Sequence, residues 1–109
     1  MIIKKPSIFI YVNHPDKTVL KELCAGIEEE GVFFDIKEMD DDSADELAWN
    51  AANDSMLGSG IGMHRTYIAL QMRGLDKGHN VESYAAPDKE QSRKLGANSA
   101  RAIKKLAFR

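Results

Sequence analysis

An α/β fold is predicted: a single three-layer domain with a mostly parallel sheet of about five strands and helices on its faces. Three observations predict it. Short β-branched or aromatic runs alternate with stretches whose apolar residues recur at three- and four-residue steps, giving the order β-α-β-α-β-β-β-α. Strands alternating with helices form right-handed crossovers, which lay parallel strands side by side beneath helices. And 109 residues, 43% of them hydrophobic, suffice for one core without a disulfide or a structural metal.

The first strand is read over residues 7–12, rich in isoleucine and valine and closed by the turn signal Asn13-His14-Pro15-Asp16. A helix follows over 15–30. Val19, Leu20, Leu23, Cys24 and Ile27 line one side of it, Pro15 suits its first turn, and Gly31 suits a left-handed stop. A second strand spans 32–38. Asp40-Asp41-Asp42 then leads to Ser43, read as the cap of an alanine-rich helix running to about residue 54, with Glu46 as the other half of a capping box. Gly58, Gly60 and Gly62 alternate with Ser59 and Ile61 in a third strand, whose glycines imply a bulge or the close approach of another backbone. Strands over 66–72 and 80–84 come next. A last helix opens at Pro87-Asp88, acidic at its start and basic at Lys104-Lys105, with the apolar stripe Leu95, Ala102, Ile103, Leu106.

Charge excludes some functions. Fifteen Lys+Arg against seventeen Asp+Glu leave a net charge of −2, too little positive field to attract nucleic acid. The longest apolar run, residues 8–12, falls far short of the ~20 residues of a membrane span. Lys4-Lys5 precedes that run without a small-residue cleavage site, so it is read as the approach to a strand and not as a secretory leader. One cysteine makes no internal bridge, and a cytoplasmic location is expected.

No catalytic set stands out. Cys24 falls on an apolar helix stripe, where a thiol packs and does not react. His14 and His79 lie in turns without a neighbouring nucleophile, and His64, after the glycine strand, is the best placed of the three histidines. The triple aspartate lacks the twelve-residue ligand spacing of a calcium loop and reads as a solvated turn. Gly58-Ser59-Gly60-Ile61-Gly62 matches neither the dinucleotide fingerprint nor a P-loop. Two features remain odd. Glu28-Glu29-Glu30 sits where the helix dipole favours cations, so it is either a solvated end or a carboxylate meant for a cation or basic group of another chain. The small-residue row Leu95-Gly96-Ala97-Asn98-Ser99-Ala100-Arg101 permits close packing, either on the chain's own sheet or against a partner.

Three segments occur in one order: Glu22-Leu23-Cys24-Ala25-Gly26-Ile27-Glu28-Glu29-Glu30-Gly31-Val32; Gly60-Ile61-Gly62 followed by a strand ending Ile68-Ala69-Leu70; and Arg93-Lys94-Leu95-Gly96-Ala97-Asn98-Ser99-Ala100-Arg101. Together they resemble the dehydratase medium-subunit family. That family has a cobalamin-binding branch and a branch of small subunits of the glycerol/propanediol dehydratase reactivating factor, and the short length points to the second. The resemblance implies a non-catalytic subunit without a cofactor of its own. Its partners would be a large chaperone-like ATPase subunit carrying ATP or ADP and, through it, the dehydratase, from which damaged cobalamin is released by mimicry of the medium subunit. It also implies that Glu29 meets Mg2+ at the contact with the large subunit, with Glu28, Leu95, Gly96 and Asn98 beside it. Met63-His64-Arg65 departs from the small residues and glycine of relatives, which suits a mimic that holds no cobalamin or a divergent partner. A minimal cobalamin-binding module is the alternative, although the Asp-x-His-x-x-Gly signature of base-off binding is absent. A small enzyme built on His64 would need a pocket of convergent polar groups. Residence in a bacterial microcompartment and a homodimer of the isolated chain are further expectations of this reading.

Overall fold

The structure is a computed structural model and describes residues 6–109. The lysine pair Lys4-Lys5 lies outside the described residues. Eight elements follow one another: β1 (Ile8–Asn13), α1 (Lys17–Glu29), β2 (Phe34–Glu38), α2 (Ala44–Asp54), β3 (Ser59–His64), β4 (Tyr67–Met72), β5 (Glu82–Tyr84) and α3 (Lys89–Lys104). The sheet order is β2-β1-β3-β4-β5. The three-layer α/β expectation and the number of strands hold. β1 is parallel to both β2 and β3, while β4 is antiparallel to β3 and to β5. The cause is local: only Arg65 and Thr66 separate β3 from β4, and two residues allow a hairpin but no crossover.

Alternation along β1 divides the core. Ile8, Ile10 and Val12 face α1 and α3, where Leu23, Ile27, Ile61, Met63, Ile68, Leu70 and Leu95 complete the larger cluster. Tyr11 faces α2 and packs on Leu47 and Ala51, with Phe9 and Met39 against them. The glycines of β3 let α2 lie almost on the sheet. A Cβ at Gly60 would stand 2.1 Å from the Ala52 nitrogen and one at Gly62 2.1 Å from the Ala44 oxygen, so close approach, not a bulge, explains them.

Helix ends differ from expectation in detail. Asp16, not Pro15, opens α1: its Oδ1 accepts from the amides of Thr18 and Val19 at 3.0 Å each. Gly31, at φ +72°, ends the helix as expected. Ser43 caps α2 by accepting from the Glu46 amide at 3.3 Å, but the Glu46 carboxylate pairs with Lys77 at 3.0 Å and leaves no box there. The capping box occurs instead on α3, between Asp88 and Gln91. The stripe expected on α3 is also corrected. Its buried face is Ser92 and Leu95 to Ala100, while Ile103 is half-buried and Leu106 lies beyond the helix, 48% exposed. Small residues carry the contact because α3 packs on α1 at backbone distance. Among the described residues no helix is long and apolar enough to cross a membrane.

Candidate partner-binding site

The acidic end of α1 and the side of α3 form one surface. α1 crosses α3 through glycines on both helices: a Cβ at Gly26 would lie 2.1 Å from the Arg93 oxygen, and one at Gly96 2.0 Å from the Leu23 oxygen. At that separation side chains flanking the crossing reach across it. Arg93 donates to Glu22 at 2.7 Å and lies 3.3 Å from Glu29, and Arg101 pairs with Glu30 at 3.2 Å. Glu22 and Glu30 are eight residues apart, as are Arg93 and Arg101 (30 − 22 and 101 − 93), so the two helices carry a complementary charge ladder. Beyond α3 the chain turns back at Lys105, and Arg109 reaches Glu29 at 3.0 Å. Lys104 donates to the Glu30 carbonyl oxygen.

Glu29 and Glu30 of the odd acidic terminus are thus met by basic groups of their own chain. Sequence reasoning missed Arg93, Arg101 and Arg109 as those counter-charges, and the matching eight-residue spacing was the available signal. Glu29 keeps a 42% exposed side chain. Glu28 is exposed and borders a shallow groove of about 380 Å³ with Gly31, Val32, Phe33 and Phe34. Exposed carboxylates beside exposed aromatic surface, with Phe33 55% accessible, make a surface suited to another polypeptide.

The other expected contact residues point inward. Leu95 is fully buried, Gly96 touches α1, and Asn98, 1% exposed, donates to Glu82 and accepts from the Arg109 amide, each at 2.8 Å. They shape the surface only through what they support. No group of three or more His, Cys, Asp or Glu side chains is arranged to hold a metal ion among the described residues. Glu29 offers a hard divalent cation two oxygens at most, both already facing guanidinium groups, against the roughly six or more oxygens such an ion takes.

The remaining candidates lie apart from that surface. Burial, and then the Glu28 charge, pushes the Cys24 thiol up to about 11, which keeps it protonated and unreactive at neutral pH. His64 Nδ1 lies 3.1 Å from the Asn13 side-chain oxygen, in a shallow depression with Asp42, Ser43, Asp45 and Tyr67. His14 and His79 are exposed, and Asp40, Asp41 and Asp42 lie on the surface ahead of α2. Met63 is buried in the core and Arg65 is exposed at the hairpin tip, so only His64 of that departure faces the depression.

A family model described as dehydratase medium subunit matches residues 5–109. The chain is 31% identical over 105 residues to the propanediol dehydratase-reactivating factor small subunit of Citrobacter freundii, across 95% of this chain and 90% of that one. It is 30% identical over 105 residues to the diol dehydratase-reactivating factor small subunit of Klebsiella michiganensis, across 95% and 84%. Among solved structures it is similar to diol dehydratase-reactivating factor complexed with ADP and Mg2+, with a TM-score of 0.88 at 28% identity over 97% of this chain and 99% of that chain. Glycerol dehydratase reactivase gives a TM-score of 0.89 at 28% identity over 96% and 97%. With a match running from residue 5 to the last, and the fold in agreement, the chain belongs to the dehydratase medium-subunit family.

Proposed function

We propose that the chain is the small, non-catalytic subunit of a reactivating factor for a glycerol or propanediol dehydratase. The observation that carries this reading is the similarity, over 95% of the chain, to small subunits of such factors. In this role the chain pairs with a large ATPase subunit, which holds the ATP or ADP. The pair docks on the dehydratase by imitating its medium subunit, and damaged cobalamin leaves the opened enzyme. The similar solved factor is complexed with ADP and Mg2+, in keeping with a nucleotide on the large subunit and a cation at the contact. The work takes place in the cytoplasm or within a bacterial microcompartment.

The surface of Glu28 and Glu29 is the contact with the large subunit, and Glu29 contributes a carboxylate to a shared Mg2+. Leu95, Gly96 and Asn98 act beneath it, by holding α3 against α1 so that the carboxylates keep their spacing. Co-expression with a large reactivase subunit and purification through a tag on that subunit tests the reading. The expected result is a stable complex that restores activity to glycerol-inactivated dehydratase when ATP and Mg2+ are present. Failure to co-purify with large subunits from several dehydratase operons would overturn it. Glu29→Ala is expected to weaken the complex roughly tenfold in Mg2+, the loss of a charge-assisted contact worth about 1.5 kcal/mol, and to leave affinity in EDTA almost unchanged. Equal affinities in Mg2+ would remove Glu29 from the contact.

A further inference from the structure

We propose that the outer edge of β2 is a self-recognition surface through which two copies of this chain join their sheets antiparallel, centred on Ile36. β2 ends the strand order, and no described residue pairs with its outer edge. The amide of Ile8 donates to the Phe33 oxygen and that of Met39 to the Val12 oxygen, so the odd-numbered residues of this strand turn their backbone groups toward β1. By alternation the backbone N–H and C=O of Phe34, Ile36 and Glu38 face outward. This is the row a second strand needs.

The side chains decide which strand. In an antiparallel pair centred on Ile36, Phe34 stands opposite Glu38, Asp35 opposite Lys37, and Ile36 opposite itself. Asp35 and Lys37 then fall at non-hydrogen-bonded positions, where opposed side chains come closest. Each copy gives one Asp35–Lys37 pair and receives another. The neighbouring registers fail: centring on Asp35 or on Lys37 sets like charges face to face. The charge pattern therefore specifies one register and one occupant, a second copy.

Other features agree. Ile36 is 47% exposed and gains cover from its own counterpart. Lys37 makes no ion pair among the described residues, and Asp35 uses Oδ2 to accept from the Ser7 hydroxyl at 2.6 Å, leaving Oδ1 available. A charged edge strand ordinarily repels additional strands. Here the charges repel most strands but match their own two-fold image, as an isologous interface demands.

Five residues per strand make a small interface, so the dimer should be weak, with a dissociation constant on the order of 10–500 µM. Sedimentation of the purified chain from about 5 to 500 µM should show a monomer–dimer equilibrium. Lys37→Asp sets two like-charge pairs in the interface and should weaken the dimer at least about tenfold, and the double swap Asp35→Lys/Lys37→Asp should restore it to within about threefold. In a Cys24→Ser background, Ile36→Cys places two thiols at a Cα separation of about 5.5 Å and should give a disulfide-linked dimer on mild oxidation, while Lys21→Cys on α1 should not. A chain that stays monomeric throughout, a dimer indifferent to Lys37→Asp, or no cross-link at position 36 would each overturn the proposal. So would a cross-link from position 36 to a co-expressed large subunit in place of a second copy. Phe34 also lines the groove beside Glu28, but Ile36 and Lys37, the positions changed in these variants, lie outside that groove, so the two readings fail independently.

Discussion

Gly26→Ala tests whether α1 and α3 are held at backbone contact. The new Cβ would lie 2.1 Å from the Arg93 oxygen and 2.8 Å from the Ala97 nitrogen. Carbon–oxygen contacts settle near ~3.3 Å, so the helices must separate by roughly 1 Å. Both obstructing atoms are helix backbone and cannot rotate aside. A gap of that size forfeits about a quarter to a half of the dispersion energy of each contact it opens, and overfilled cores lose ~1–3 kcal/mol. Alanine recovers ~1 kcal/mol of helix propensity over glycine. The net expectation is a loss of about 1 kcal/mol and at most about 2 kcal/mol. With a urea m-value of roughly 1–2 kcal/mol/M, the midpoint should fall by about 1 M, read by far-ultraviolet circular dichroism and Trp49 fluorescence. Gly96→Ala meets the Leu23 oxygen at 2.0 Å and should cost a similar amount. In the double variant one separation relieves both clashes, so the combined loss should be smaller than the sum. A Gly26→Ala midpoint at or above that of the parent would refute the reasoning, because it would mean the helices part freely.

Other expectations follow from single groups. Cys24 holds its proton to about 11 in the folded chain against an ordinary value of 9.0, so between those values the unfolded chain releases a proton that the folded chain keeps. Stability must then fall as pH rises through that window, and urea titrations at pH 8 and 10.5 should show a drop that Cys24→Ala reduces. Arg65 sits at φ +57° at the hairpin tip, where a residue with a Cβ is strained by ~1–2 kcal/mol. Arg65→Gly should therefore stabilise the fold by up to about 1 kcal/mol after glycine's greater freedom in the unfolded chain is subtracted, read as a higher thermal midpoint. Arg109→Gln removes one of the two guanidinium groups on Glu29 and should tighten Mg2+-dependent association with the large subunit up to about fivefold by titration calorimetry, since a half-exposed pair is worth at most ~1 kcal/mol. Weaker association would place Arg109 itself in the contact.

The sequence carried the fold wherever one residue's conformation or one short period decided the matter. Gly31 announced the end of α1, and the alternation of Ile8, Ile10 and Val12 announced a buried strand. It did not carry the hairpin, because Arg65-Thr66 lacks the glycine or asparagine that usually marks such a turn. Nor did it carry the packing face of α3. Hydropathy pointed to Leu106, and the small-residue row from Leu95 to Arg101 was read as fit for close packing on the sheet or a partner, whereas its Gly96 brings α3 onto α1. The site divided in the same way. Glu28-Glu29-Glu30 was conspicuous because it opposes the helix dipole within its own turn. Arg93 and Arg101, each 71 positions from its partner, could be matched to it only once the two helices were placed side by side.

The charge ladder also separates the three glutamates physically. Glu30 and its partner Arg101 have side chains 12% and 28% exposed, and Glu22, on Arg93, is 14% exposed. These pairs are partly desolvated, and breaking one leaves a charge short of both water and partner, which in a fully buried pair costs about 3–5 kcal/mol. Glu29 is different. At 42% exposure, between Arg93 at 43% and Arg109 at 39%, it stays in contact with water, and each of its pairs is worth only ~0.2–1 kcal/mol. A carboxylate in that position can exchange one cation for another at small net cost, while the rungs on either side keep α1 and α3 in place. A reversible contact needs this combination: a fixed frame and one replaceable counter-charge. Of the acidic groups at the end of α1, Glu29 alone combines solvent access with counter-charges loose enough to be displaced.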